Sequence, residues 1–181
     1  MELATVQTVP GKNTLFDAAG APSGTFRTAG LIYADTTVRN SDSIAEKKIT
    51  GFTLPANSLI TPGQVLHIVA TLKGAADTND KTPYLILGTV ASHQDVITGI
   101  LTAVSGVVIQ MEAWVIVTTS ATQKVISRYQ EQGAAVFPIV ANASLTVDFT
   151  AAVEVNISAA CEAATSGQIT VESWFVEIIG G

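Results

Sequence analysis

The 181-residue chain is 48% hydrophobic and 13% charged, with a net charge of −6. Its nine Lys and Arg are scattered and form no basic face for phosphates, which argues against direct nucleic-acid binding. No apolar run reaches the ~18 residues of a membrane-spanning helix, and a single cysteine excludes an internal disulfide.

A chain of this length buries about 70% of its unfolded surface, so it needs neither disulfide nor metal to hold a core. The usual charged share is about 25%, and a surface this poor in charge and rich in Thr and Ala is expected to be partly covered by other subunits. The opening MELATVQTVPGKN has neither the basic start nor the apolar stretch of a secretion signal, so synthesis and assembly in a cytoplasm are expected.

Residues 1–27 differ from the rest. Isolated apolar residues (Leu3, Val6, Leu15, Phe16 and Phe26) sit among Gly, Pro, Ala and Thr without a period of 2 or 3.6. A pure spacer has little reason to carry them. They are therefore assigned to an extended arm that docks onto a neighbouring subunit, although a plain terminal tail is the blander reading.

Residues 28–181 read as one domain of short strands. Candidate strands cover 29–34, 48–54, 64–73 and 82–87, separated by Pro, Asn, Gly and Asp. Residues 107–118 form the longest: Val107, Ile109, Met111, Ala113, Val115 and Val117 alternate with Gln110 and Glu112. That is the period of a half-buried strand. Further strands are expected over 124–130, 144–149, 152–159 and 169–178, giving eight or nine with no convincing helix. This is an all-β chain, expected to form a two-sheet antiparallel sandwich of jelly-roll type. An immunoglobulin-like sandwich would call for a second cysteine.

Few residues suggest chemistry. His67 lies mid-strand in LHIVA, where a neighbouring-strand hydrogen bond or a solvated face is expected. His93 lies in SHQD, read as a loop, and a Ser92–His93–Asp95 triad is disfavoured because the nucleophile should come from a separate element. Cys161, flanked by alanines, reads as a small buried residue. Asp77, Asn79 and Asp80 could be cation donors, but the loop lacks the Gly and distal Glu of an EF-hand. Asx-turns partly neutralised by Lys81 account for the same residues. Trp114 is placed with Gln110, Glu112 and Ile116, and Trp174 with Thr170, Glu172 and Ile178. Packing in a core or subunit contact is the expected role of both. Glu112, Glu154 and Glu172 are strand carboxylates with no reason in the sequence to pair as a glycosidase would require. No catalytic residue, cofactor or metal site is assigned.

Two stretches carry a resemblance. FTLPANSLITPGQVLHI, followed by a loop with NDKT and a strand ending at Gly88, is similar to runs in jelly-roll virion proteins of tailed bacteriophages. LTVDFTAAVEVNISAACEAATSGQITVESWFVEII resembles the closing strands of the same group, so the likeness spans residues 50–179 and omits the first 27. The resemblance implies a head decoration, or cement, protein on the capsid exterior. Such proteins bridge neighbouring major capsid protein subunits and associate with themselves as homotrimers or dimers. The alternative is a tail-fibre or spike domain that binds a host receptor through Trp114 or residues 91–98.

Overall fold

The computed structural model describes residues 30–99, 106–132 and 140–180, with the backbone alone for 140–143. Eleven strands occur among them: β1 (Gly30–Asp35), β2 (Arg39–Asn40), β3 (Lys47–Leu54), β4 (Val65–Gly74), β5 (Lys81–Thr89), β6 (Ser92–Thr98), β7 (Val108–Thr119), β8 (Thr122–Glu131), β9 (Val140–Leu145), β10 (Val153–Cys161) and β11 (Ile169–Ile179). They form two antiparallel sheets packed as a sandwich. The larger has the order β1-β11-β4-β7-β8-β9, with β2 also paired to β11, and the smaller has the order β3-β10-β5-β6.

Alternation builds the core. Leu66, Ile68, Ala70 and Leu72 on β4 and Ile109, Met111, Ala113, Val115 and Val117 on β7 point inward from the larger sheet. They meet Leu85 and Leu87 on β5 and Val153, Val155, Ile157 and Ala159 on β10. Each fully buried Leu, Ile or Val contributes about 1.5–3 kcal/mol relative to exposure. Near one side of the sandwich Tyr33, Phe52 and Trp174 pack together, from β1, β3 and β11. Tyr33 stacks on Phe52 with ring centroids 4.6 Å apart, and Trp174 lies 4.8 Å from Tyr33. The trio ties the two sheets across their gap.

The segment after β3 folds as its turn residues require. Ser58 donates to the Pro55 carbonyl through both backbone N–H and hydroxyl, while Asn57 takes a left-handed φ of 62°. Gln64, buried, accepts hydrogen bonds from the N–H groups of Ile60 and Thr61. These bonds pair two backbone donors of the turn and fix its path into β4.

Three expectations are corrected. Residues 92–98, of which SHQD was read as a loop, form β6, paired to β5. The strand expected over 144–149 instead spans Val140–Leu145. Beyond it the backbone turns to other partners: Thr146 donates to Gln94 Oε1, and Val147 exchanges two hydrogen bonds with the Gln123 side chain. Trp174 does not share a face with Thr170 and Glu172. A β-bulge between Val171 and Ser173 shifts the alternation, so Trp174 joins Val176 and Ile178 in the core.

Candidate interaction face

The outer face of the larger sheet can be laid out row by row from its register. Ile179, Val65, Ile116 and Lys124 lie side by side on β11, β4, β7 and β8. The next row is Leu31, Glu177, His67, Trp114 and Ile126, beginning on β1. Phe175, Val69, Glu112 and Arg128 follow, then Ser173, Thr71, Gln110 and Gln130. Eight of these side chains are large and apolar. Leu31, Ile179 and Phe175 are exposed by 50%, 42% and 36%.

An ionic cluster sits in the middle. His67 Nδ1 lies 2.7 Å from Glu177 Oε1 and its Nε2 2.8 Å from Glu112 Oε1. Arg128 holds the other oxygen of Glu112. Each ring nitrogen of His67 thus faces a carboxylate, one from each neighbouring strand. Trp114 stacks beside the His67 ring with centroids 5.1 Å apart, Phe175 meets it edge-on at 6.0 Å, and the Arg128 guanidinium stands 5.9 Å from the Trp114 ring. The Glu112 side chain is only 9% exposed although it points away from the core, so its charge depends on these donors. The result is a face that is apolar at its borders and carries a hydrogen-bonded ionic cluster at its centre.

The smaller sheet carries the second histidine in a comparable setting. His93 Nδ1 donates towards the carbonyls of Val90 and Thr89 at 2.9 and 3.2 Å. Its Nε2 faces Asp95 Oδ1 at 3.2 Å and Glu46 Oε2 at 3.8 Å. Glu46 accepts a 2.6 Å hydrogen bond from Ser158. Both ring nitrogens thus face carbonyl and carboxylate oxygens. Beside this cluster a depression of about 580 Å³ is lined by Thr53, Thr89, Ser92, His93, Thr146 and Glu154, among others. Hydrogen bonds from Asn156 and then Lys48 hold the Glu154 carboxyl below its ordinary pKa.

The Asp77 loop is an internal ion pair. Asp77 Oδ1 accepts from the Asn79 N–H, an Asx-turn, and from the Lys81 ammonium at 2.6 Å. Gln168 donates to the other oxygen at 2.7 Å. The Lys81 bond, with that from Gln168, brings the Asp77 carboxyl down to about pKa 2. Lys81 is entirely buried, deeper than partial neutralisation of a surface loop suggests. Among the described residues no group of three or more His, Cys, Asp or Glu is placed to hold a metal ion. Cys161 is buried, its Sγ 3.4 Å from Ser41 Oγ, and burial pushes its thiol pKa up.

Trp114 shares its face with Gln110, Glu112 and Ile116, and His67 finds partners on both neighbouring strands. The arm residues Leu3, Val6, Leu15, Phe16 and Phe26 lie outside the described residues. Sequence reasoning missed Glu177 and Arg128 around His67, and Glu46 and Ser158 around His93. Only the cross-strand register brings them in. No family model, curated protein or solved structure matches the chain.

Proposed function

We propose that this chain is a structural virion protein, without enzymatic activity, that decorates and cements a bacteriophage capsid by bridging neighbouring major capsid protein subunits. The observation that carries this reading is the strand order. β1-β11-β4-β7 in one sheet face β3-β10-β5-β6 in the other, and the chain changes sheet between β2 and β3, β3 and β4, β4 and β5, β6 and β7, β9 and β10, and β10 and β11. Two interlocked four-stranded sheets of this kind support a jelly roll, with β8 and β9 added as a hairpin extension. A jelly roll is what the resemblance over residues 50–179 implies. In this reading the arm, through Leu3, Val6, Leu15, Phe16 and Phe26, reaches the capsid, and the sandwich edges span the seam. A ligand that binds only the assembled lattice stabilises it by mass action.

The test is copy number. Purified heads should carry the protein in near-capsomer stoichiometry, and heads lacking it should release DNA at a lower temperature. Confinement to tails, or a few copies per particle, sinks the reading. Removing residues 1–27 should weaken head binding, and unchanged affinity would eliminate the arm as the anchor.

The depression beside β6 favours a second reading, a tail-fibre or spike domain that binds a host receptor. Its wall combines the hydroxyls of Thr53, Thr89, Ser92 and Thr146 with His93 and Glu154, a set suited to hydrogen-bonding a polar ligand. That reading requires the isolated protein to adsorb to host cells.

A further inference from the structure

We propose that two copies of the chain pair face to face through the outer surface of the larger sheet, about a two-fold axis that runs along the strands between β4 and β7. Soluble monomers rarely expose contiguous apolar patches beyond a few hundred Å². Here Leu31, Phe175 and Ile179 are exposed around the half-buried Val65, Val69, Trp114, Ile116 and Ile126. Four strands about 4.8 Å apart and ten residues long at about 3.3 Å each cover roughly 600 Å² per copy, or about 1,200 Å² in a pair. That reaches the lower end of a specific interface before β1 adds Leu31.

The charges name the occupant. On this face β11 carries the acid Glu177, β4 the base Lys73 beside the His67 imidazole, β7 the acid Glu112, and β8 the bases Lys124 and Arg128. The sign therefore alternates strand by strand. A two-fold axis along the strands lays β11 over the partner's β8, and β4 over the partner's β7, so every acidic strand meets a basic one. A two-fold axis across the strands would lay each strand over its own copy, like charge on like. The face is complementary to itself in one orientation, as an isologous interface requires. That orientation also brings Arg128 towards the Phe175 ring of the other copy, a cation–π approach. The pairing stands independently of the capsid reading, and it predicts a dimer where the family resemblance implies a trimer or a dimer.

Sedimentation velocity of the full chain over a wide concentration range should show a monomer–dimer equilibrium. Phe175→Lys, which would face Arg128 of the other copy, and Ile179→Lys, which would face Lys124, are both at exposed positions and should each raise the dimer dissociation constant at least about tenfold. Their circular dichroism should stay that of the parent. Orientation is read by crosslinking. Ser173→Cys on β11 and Gln130→Cys on β8, mixed, should form the mixed disulfide faster than either forms a disulfide with itself. A chain that stays monomeric, a trimer, or preferential Gln130→Cys self-crosslinking would each overturn the proposal. Should one variant misfold, the other and the crosslinking pattern still decide it.

Discussion

Lys81 shows how much a single buried charge depends on its surroundings. Its ammonium is sealed from solvent and held by Asp77 Oδ1 at 2.6 Å and the Asn79 carbonyl at 2.7 Å. Removing Asp77 strands that charge, whereas removing Lys81 merely frees a carboxylate that can reach water. Asp77→Ala should therefore cost clearly more stability than Lys81→Met in urea denaturation. The pH dependence has a definite sign. The Asp77 pKa falls from 3.8 when unperturbed to about 2 in the fold, so its contribution is complete above about pH 4 and is lost as pH drops towards 2. The stability gap between Asp77→Asn and the parent, measured by denaturation at stepped pH, should close over that window. Gly51 gives a second prediction at this scale. A Cβ there would stand 1.8 Å from Asn156 Oδ1 and 2.8 Å from the Val155 carbonyl oxygen. Gly51→Ala should destabilise by about 1–3 kcal/mol. The Asp77–Lys81 contact was legible because its members are four residues apart. Gln168, the other partner of Asp77, lies 91 residues away, and no local pattern announces it.

At the scale of elements, legibility followed alternation. β7 and β10 were plain because each has one wholly apolar face opposite a face that carries polar residues. β6 was not, because Ser92, His93, Gln94 and Asp95 are all polar, although they serve different surroundings. His93 belongs to the outer cluster, while Gln94 accepts a backbone hydrogen bond from Thr146. The end of β9 was misread for the opposite reason. LTVDF alternates well, yet its backbone leaves the sheet because Gln123, buried at the sandwich end, supplies better-placed partners for Val147. The outer face of β7 was likewise visible in advance, but the neighbours that complete the His67 cluster depend on β11 lying beside β4, which no period encodes. β4 is flanked by β11 and β7 and sends Leu66, Ile68 and Leu72 into the core at 0% exposure. Leu66→Ala should therefore lower unfolding free energy by about 2–5 kcal/mol, measured by chemical denaturation.

For the molecule as a whole, the strand order makes most pairings non-local: β1 waits for β11, and β3 for β10. Loop-closure entropy must be met before those contacts contribute. Refolding followed by tryptophan fluorescence in stopped flow should accordingly fall in the millisecond-to-second range of all-β domains. Cys161 offers a separate view of the same cooperativity. It is the chain's single thiol, it sits at the end of β10 against Ser41, and it is 4% exposed with its ionisation disfavoured by burial. A thiol reagent can reach it only during excursions that part the β2 corner from β10. Its labelling rate is thus an intrinsic clock for how often the sandwich breathes, readable without any introduced probe. If that clock slows when a partner is added, the slowing reports how far the partner's grip is felt at this corner of the fold.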